Sequence, residues 1–453
     1  MNVLLVEPDY RSKFPPLGLM RISAFHKERG DSVSFTRGCS PELRLVPWHR
    51  VYVSSLFTYE LPRTVKTVEY YLPVVENPAE DLFVGGIGAT LLPEYIGRRV
   101  PCRVIAGALD RRNALGLGEE AIAEFIPDYT LLNSVAWKYQ PEDAYFVRVS
   151  MGCIRSCKFC AVPRLEPCFR YLQSVSEQLN AVRAKYGERH DLVILDNNIL
   201  ALEKDRLFRT IDEIKDQGFH KGGRVENKKR AVDFNQGIDA RLVTPEIATR
   251  LSTICLSPVR LAFDYDSVEN EYKTAVELLS SAGFATFTTY VMYNYNDTPE
   301  SFYRRMSVNL ELSVRLGIRV TGFPMRYVPI ADIDRHFVSK HWKWRYLRGI
   351  QCILNATHGM VSPNPAFFEA AFGQDFEQFL EICAMPERFI IYRNKYAAEA
   401  DAWRCEYRKL SASDRDTFLD VLESAHKSRS RPRFFESAQR FRLLLHFYYP
   451  DES

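Results

Sequence analysis

Short apolar runs alternate with amphipathic helical patterns along residues 1–330 of this 453-residue chain. A run of about four to eight apolar residues between turn residues is typical of a buried strand, and apolar residues spaced by three and four predict a helix. Strands that alternate with helices form parallel sheets, because a parallel connection must be long enough to hold a helix. The sequence therefore predicts an α/β fold.

The alternation stops and restarts once, which predicts two separate sheets followed by a helical region. Residues 1–135 predict a Rossmann-like, doubly wound parallel sheet with strands at residues 3–6, 32–35, 51–54 and 82–84. Residues 140–330 predict a partial (β/α)6 barrel with strands at residues 145–149, 192–195, 231–235, 259–263, 286–292 and 319–324. In residues 331–453 the strand patterns fade, and helices with many aromatic residues dominate a C-terminal region. In both sheets we expect functional side chains at the carboxyl ends of the strands.

Composition and charge describe an ordinary soluble globular protein. Hydrophobic residues make up 46% of the chain and charged residues 26%, which excludes disorder, and 60 basic minus 57 acidic residues leave a net charge of +3. Because this charge is small, neither nucleic acid nor an anionic membrane is favoured as a partner. The apolar run at residues 3–6 is too short for a signal peptide, and no apolar stretch reaches the roughly 18 residues of a membrane span. We therefore expect a cytoplasmic protein.

Three cysteines follow the first predicted barrel strand directly. Cys153, Cys157 and Cys160 form a Cx3Cx2C pattern in the run MGCIRSCKFC. A loop at a strand end can wrap three thiolates around one iron–sulfur cluster, and three ligands leave one iron of a four-iron cluster open to a substrate. A structural zinc site would need a fourth ligand, and the nearest thiol, Cys168, lies eight residues further along without a paired CxxC. The spacing favours a cluster over zinc and over three unrelated core cysteines.

The Cx3Cx2C motif, with the aromatic Phe159 just before its last cysteine, resembles the signature of the radical S-adenosylmethionine (radical SAM) superfamily. The resemblance covers this motif and the six-unit barrel order, about residues 145–327. It implies a 4Fe-4S cluster whose open iron chelates the amino and carboxylate groups of SAM. Reductive cleavage of SAM would then give a 5′-deoxyadenosyl radical that abstracts hydrogen from a substrate not yet identified. It also implies that Phe159 bounds the SAM site and that flavodoxin or ferredoxin donates the electron.

The same resemblance implies polar SAM-binding groups at the ends of the following strands. Three residues of the LDNN segment after the second strand, Asp196, Asn197 and Asn198, occupy the position where related enzymes contact the methionyl group, and we select Asn197 and Asn198 as SAM-binding candidates. From the polar cluster after the third strand we select Gln236, Asp239 and Arg241 as further SAM-binding candidates. The alternative is that these side chains cap turns or helices, as Asx residues after strands commonly do.

Two later strand ends also carry polar residues. The fourth strand ends in Asp264 and the fifth in residues 293–297 (YNYND). Asp297 and Thr298 fit a helix cap and a functional site equally well. No catalytic residue beyond the cluster ligands is identified from the sequence.

The N-terminal domain resembles, more loosely, the cobalamin-binding Rossmann domain that precedes many radical SAM barrels. The stretches that carry the resemblance are residues 14–29 (FPPLGLMRISAFHKER), 84–94 (VGGIGATLLPE) and 117–121 (LGEEA). The DxHxxG motif that supplies the cobalt-binding histidine is absent, because His26 lies in a predicted helix and His49 in WHR. Cobalamin is thus allowed, but loss of this cofactor is favoured. Without a complete GxGxxG, the glycines at residues 85–88 are interpreted as tight turns.

Two other functions compete with an adenosyl-radical reaction. One is a cobalamin-dependent radical SAM methyltransferase, which predicts a bound corrinoid. The other is a non-catalytic nucleic-acid-binding protein with a structural metal, using the aromatic run at residues 341–346 (HWKWRY) and the basic run at residues 427–433 (KSRSRPR). The aromatic run is more typical of a helix docked in the protein, and the basic run of an exposed loop.

Overall fold

The computed structural model describes residues 1–428 and 436–449 of the chain. The fold is a mixed α/β structure with parallel sheets, as the sequence predicts. Two compact units contain the chain. The first comprises Met1–Ile238, Glu246–Ser257 and Pro329–Phe337, and the second comprises Asp239–Pro245, Pro258–Val328 and Val338–Ser453.

The first unit begins with a five-stranded parallel sheet. Its strands are β1 (Asn2–Glu7), β2 (Ser32–Arg37), β3 (Arg50–Ser54), β4 (Leu82–Gly85) and β5 (Arg103–Ile105), in the order β2-β1-β3-β4-β5. Residues Val3 to Val6 are fully buried, which explains why this short apolar run forms an interior strand between β2 and β3. The topology reverses between β1 and β3, and ligands of such sheets bind outside the carboxyl ends at this point.

Five short helices connect or flank these strands. They are α1 (Leu17–Glu28), α2 (Leu61–Tyr71), α3 (Pro78–Asp81), α4 (Ile87–Leu91) and α5 (Pro93–Gly97). Helix α2 buries Leu61, Val65 and Val68 in a core cluster with alternate residues of β1, β3 and β4. The β5 strand is absent from the sequence-based prediction, because its three residues, Arg103 to Ile105, are not an apolar run.

A second parallel sheet in the first unit consists of β6 (Ala144–Val147), β9 (Asp191–Ile194) and β12 (Val232–Phe234), with β9 in the centre. Two small antiparallel pairs accompany it: β7 (Ser150–Met151) with β8 (Arg170–Tyr171), and β10 (Arg224–Val225) with β11 (Lys228–Lys229). The helices of this part are α6 (Val162–Leu165), α7 (Val175–Tyr186), α8 (Lys204–Ile214) and α9 (Pro245–Leu251).

The second unit contains a third parallel sheet and the C-terminal helices. Strands β13 (Val259–Ala262), β14 (Thr286–Tyr293) and β15 (Arg319–Arg326) pair in sequence order, with α10 (Glu269–Ser281) and α11 (Pro299–Leu316) between them. Thr298 accepts a hydrogen bond from the Ser301 amide, so the predicted cap of α11 is confirmed. The six strands of the predicted barrel are thus all present, as two sheets of three, and their closure into one barrel stays a prediction.

The C-terminal helices are α12 (Trp344–Ala356), α13 (Pro365–Phe372), α14 (Phe376–Ala384), α15 (Glu387–Ile391), α16 (Ala397–Arg408), α17 (Ala412–Ser428) and α18 (Arg442–His446). They share a core rich in aromatic residues, in which Trp403 and Phe379 are fully buried. Across residues 1–428 and 436–449, no helix combines the length and the apolar character needed to cross a bilayer.

Candidate functional site

The three cysteines of the Cx3Cx2C motif lie in a loop whose two ends are held together by β7 and β8. Ser150 pairs with Tyr171 and Met151 with Arg170, so residues 152–169 form a loop whose ends are joined by these two antiparallel strands. Cys153, Cys157 and Cys160 are half-buried in this cysteine loop, whereas Cys168 is exposed.

Gly152 fixes the start of the cysteine loop. Its φ is +79°, and a Cβ atom placed there would lie 2.3 Å from the Cys168 carbonyl oxygen. Real Cβ atoms do not approach a carbonyl oxygen so closely, so only glycine allows the two ends of the loop to touch.

Replacing Gly152 with alanine is expected to destabilise this loop strongly. Left-handed backbone strain and the clash together should lower the free energy of unfolding by about 3 kcal/mol or more. Gly317→Ala is the matched control, because Gly317 has a φ of +65° but nothing within 4 Å of its Cβ position. Strain alone should cost that variant about 1 kcal/mol. Urea unfolding measures both variants, and equal losses would contradict the close contact.

The LDNN segment after β9 anchors the cysteine loop at three points. Asp196 is buried and its carboxylate accepts hydrogen bonds from the Val149 amide at 2.9 Å and from the Ser150 amide and hydroxyl, each at 2.5 Å. Burial raises the pKa of Asp196, although the Ser150 and Val149 hydrogen bonds oppose that rise. Asn197 donates to Glu166 at 2.7 Å, and the Asn198 amide nitrogen lies 3.6 Å from the Cys153 Sγ. Three consecutive side chains thus position the loop.

Glu166 joins these anchors and is a residue that the sequence analysis missed. Its Oε2 accepts hydrogen bonds from the Gly152 amide at 2.7 Å, from Asn197 and from the Arg148 guanidinium. The Arg148 Nε donates in turn to the Ser150 carbonyl at 3.1 Å. Nothing in the local sequence distinguishes Glu166 from an exposed glutamate, because its partners come from two other segments, residues 148–152 and Asn197.

The sulfur atoms of the loop also receive backbone hydrogen bonds. The Arg155 amide lies 3.4 Å from the Cys153 Sγ, and the Val162 amide lies 3.5 Å from the Cys160 Sγ. Hydrogen bonds to sulfur stabilise thiolates and tune the potential of iron–sulfur clusters. A donor set of three thiols, of which Cys153 and Cys160 receive N–H groups at sulfur, therefore fits an iron–sulfur cluster chemically.

The spacing of the possible metal ligands in the structure is a second observation, independent of their chemical type. Among residues 1–428 and 436–449, no three His, Cys, Asp or Glu side chains stand close enough together to hold one metal ion. The features that support a cluster are therefore the three thiols, the N–H groups that donate to sulfur and the hydrogen bonds that anchor the loop.

The remaining predicted site residues have different surroundings. Phe159 lies half-buried in the cysteine loop. Gln236, in the first unit, is exposed and donates to the Asn235 side chain at 3.1 Å. Asp239 belongs to the second unit, where it accepts hydrogen bonds from the Arg241 amide at 3.2 Å and from the Arg241 Nε at 2.6 Å. Asp239 thus caps the turn at residues 240–242, as the alternative interpretation of this segment expects.

Arg305 organises the strand ends of the second unit and was also missed from the sequence. It is fully buried, and its Nη1 donates to the carbonyl groups of Phe263, Asp264 and Met292 at 2.8 to 3.1 Å. Its Nη2 donates to the Asp297 carboxylate at 2.7 Å. Asp297 also accepts from the Trp342 indole at 3.1 Å, so both its oxygens are engaged by the protein. These contacts favour a structural role for Asp297.

The carboxyl group of Asp264, at the same strand ends, has a raised pKa. Burial raises the pKa of its carboxyl from 3.8 to about 6, while Arg305, the Met292 amide and Arg241 oppose the rise and Asp297 adds to it. Because the folded-state pKa is raised, Asp264 contributes stability that is present below about pH 4 and is lost as the pH rises through about 6.

Asp264→Asn is expected to remove this pH dependence. Between about pH 4 and about pH 7, wild type should lose up to about 3 kcal/mol of stability relative to the variant. Urea unfolding of both proteins at the two pH values measures the change. A stability difference that does not vary with pH would contradict the raised pKa.

The glycines after β4 make close contacts in the first sheet. The φ of Gly86 is +102°, and a Cβ atom there would lie 2.4 Å from the Ser55 carbonyl oxygen. The Ser55 hydroxyl donates to the Gly85 carbonyl at 3.0 Å and accepts from the Ala89 amide at 2.6 Å. These contacts support the tight-turn interpretation.

Arg164 of α6 donates to the Leu91 carbonyl at 3.0 Å, so the segment after Cys160 contacts this edge of the first sheet.

The two histidines of the first sheet lie at its amino edge. His26 is fully buried near the end of α1, with its Nδ1 2.8 Å from Asp31 and its Nε2 3.0 Å from the Tyr52 hydroxyl. Burial lowers the pKa of His26, and Asp31 opposes this. His49 precedes β3 and accepts from the Asn2 amide at 3.0 Å. Neither histidine lies at the carboxyl ends, where a ligand of this sheet is expected.

The aromatic run at residues 341–346 is largely packed inside the second unit. Trp342 is buried against Tyr293 and Phe302, and Trp344 stacks on His426 at 4.2 Å. Arg345 is buried and donates to the Ala384 carbonyl at 3.2 Å. The docked-helix interpretation is confirmed. Of the basic run, Lys427 pairs with Glu423 at 2.6 Å, while Arg429, Arg431 and Arg433 lie outside the described residues.

No protein-family model matches this chain, and no curated protein matches it.

Proposed function

We propose that the protein is a radical SAM enzyme that binds a 4Fe-4S cluster through Cys153, Cys157 and Cys160. The observation that carries the proposal is the anchoring of the cysteine loop. At the end of the neighbouring strand, Asp196 holds Val149 and Ser150, which directly precede this loop. Asn197 hydrogen-bonds to Glu166 and Asn198 to Cys153, both of which lie within the loop. A turn that merely connected two elements would not need three buried or half-buried polar anchors.

The chain's own residues would hold and orient this centre. Cys153, Cys157 and Cys160 are the ligands, and the Arg155 and Val162 amides donate to sulfur. When bound, the cluster would supply the electron that splits SAM into methionine and a 5′-deoxyadenosyl radical able to abstract hydrogen from substrate. Phe159 would bound the SAM site on the loop side. Asp196 and Glu166 would hold the loop in a fixed position beside the carboxyl end of β9.

Asn197 and Asn198 are the strongest candidates for contacts with SAM, since both lie at the cysteine loop. Asn198 reaches Cys153, and an amide can donate to a carboxylate and accept from an ammonium group. Gln236, Asp239 and Arg241 remain SAM-binding candidates at later strand ends. Closure of the six predicted strands into a (β/α)6 barrel is part of this proposal.

Hydrogen abstraction without cobalamin is the favoured reaction type. His26 is held on both ring nitrogens inside the protein, and His49 lies at the amino edge of the first sheet. Neither position suits a cobalt ligand at the carboxyl edge. A cobalamin-dependent methyl transfer predicts cobalt that co-purifies with the protein, and a cobalt assay separates the two reaction types.

Anaerobic reconstitution with iron and sulfide, followed by reduction and incubation with SAM, tests the proposal. We expect sulfide-bridged iron on the protein and formation of methionine and 5′-deoxyadenosine, with dithionite or a flavodoxin as electron donor. Zinc without sulfide-bridged iron, or intact SAM in the presence of a reduced cluster, would overturn the proposal.

A further inference from the structure

A groove in the C-terminal helices has the composition of a ligand site and contains no residue of the cysteine loop or of the LDNN segment. It has a volume of about 450 Å3 and lies between the end of α12, one side of α13 and the segment that joins α15 to α16. Small-molecule sites have volumes of about 300–1,000 Å3. The groove is therefore large enough for a ligand of the size of a nucleotide.

The floor of the groove is apolar and its outer side presents aromatic rings. Ala356, Ala370, Ala371 and Ile390 contribute the floor. Tyr392 is 60% exposed and Phe367 is 38% exposed, which is unusual for rings beside an apolar surface. Exposed aromatic rings at an apolar surface are the usual platform for stacking a planar base.

The rim of the groove carries uncompensated positive charge. Arg393 donates from its Nε to the Ile390 carbonyl at 3.3 Å, and burial and the nearby Arg404 both lower the pKa of Arg393. Arg404 itself pairs with Glu381 and Asp401, whereas none of the described residues that line the groove is acidic. Lys395, which is exposed, adds a second cation to the rim. A ligand that neutralises this rim must be anionic.

The groove also contains polar groups that can bind the edge of a base. The Thr357 hydroxyl is buried and has no hydrogen-bond partner in the described part of the chain. A buried hydroxyl without a partner is costly, and a ligand that supplies a hydrogen bond would remove that cost. Asn394 adds an amide to the lining. An acyl chain could cover the apolar floor but would leave the buried Thr357 hydroxyl without a partner.

We propose that this groove binds a nucleoside phosphate, with the base on the apolar floor beside Tyr392 and the phosphate on Arg393 and Lys395. The nucleoside phosphate is either a free nucleotide or one nucleotide of a single-stranded chain, and the recognition is the same for both. The site requires no cluster, so it can be tested independently of the radical SAM proposal.

The test measures binding to the purified full-length protein without iron. Fluorescence anisotropy follows a labelled hexa-adenylate RNA, and AMP, adenosine, inorganic phosphate and decanoate serve as competitors. We expect AMP to compete better than adenosine or phosphate, and decanoate not to compete. If hexa-adenylate binds more than about tenfold tighter than AMP, the ligand is one nucleotide of a single-stranded chain. If the two affinities are similar, the ligand is a free nucleotide.

Two variants of exposed residues separate the base from the phosphate. Lys395→Gln should weaken AMP binding about tenfold and leave adenosine unchanged, since a hydrogen bond to a charged group is lost. Tyr392→Leu should weaken AMP and adenosine alike, by about fivefold or more. Lys409→Gln is the matched control, an exposed lysine of the same unit that does not line the groove. Absence of AMP binding at millimolar concentration, displacement of AMP by decanoate, or unchanged binding in both variants would overturn the proposal.

Discussion

Replacing any one of Cys153, Cys157 and Cys160 with alanine is expected to abolish cluster assembly and SAM cleavage. Three thiolates are the minimum that holds a four-iron cluster while leaving one iron open, so two thiolates should not retain it. Wild type should bind about four iron atoms per chain after anaerobic reconstitution, and each variant fewer than about one. Iron and sulfide assays on the same preparations measure the loss, together with the yield of 5′-deoxyadenosine.

Cys168→Ala is the control for the three ligand variants. Cys168 lies in the same loop but is exposed, and it stands outside the Cx3Cx2C pattern. We expect this variant to bind iron and to cleave SAM as wild type does. Equal losses in all four variants would mean that removal of any thiol unfolds the loop, and the ligand assignment would then be wrong.

Replacing Arg305 with alanine is expected to cause a large loss of stability in the second unit. The variant would leave the Asp297 carboxylate without its cation and three carbonyl groups of the strand ends without their donor. Removing one partner of a buried ion pair costs about 3 to 5 kcal/mol, so we expect a loss of about 4 kcal/mol. Urea unfolding followed by tryptophan fluorescence reports this loss, since Trp342 contacts Asp297.

Arg304→Ala provides the matched comparison one residue earlier on α11. Arg304 is 54% exposed and pairs with Glu269 at the surface, so its loss should cost less than about 1 kcal/mol. Arg305→Lys should recover only part of the stability, because an ammonium group cannot reproduce the planar fork of the guanidinium. A loss below about 1 kcal/mol for Arg305→Ala would contradict the structural role assigned to this residue.

The strands of the fold could be predicted from the sequence because burial on both faces leaves a continuous apolar run. Residues 3–6 are such a run, and they form the fully buried centre of β1. The β5 strand is missed because Arg103 is exposed and Val104 and Ile105 are only half-buried, which leaves no such pattern. The order β2-β1-β3-β4-β5 depends on pairing between distant segments and is not encoded in any one of them.

The candidate site shows the same division between local and long-range information. The cysteine spacing is local, and the position of the LDNN segment follows from the strand that it ends. Glu166 and Arg305 could not be identified, because their importance arises from partners in other segments of the chain. Asp297 was ambiguous for the same reason: its contacts with Arg305 and Trp342 become visible only in the folded chain.

Electron paramagnetic resonance of the reduced, reconstituted protein before and after addition of SAM tests the central claim most directly. An iron that lacks a protein sulfur ligand should bind SAM, and this should change the spectrum of the reduced cluster. The account predicts a 4Fe-4S signal that shifts when SAM is added. A fully cysteine-ligated spectrum that SAM leaves unchanged, or a protein that binds zinc and no cluster, would contradict it.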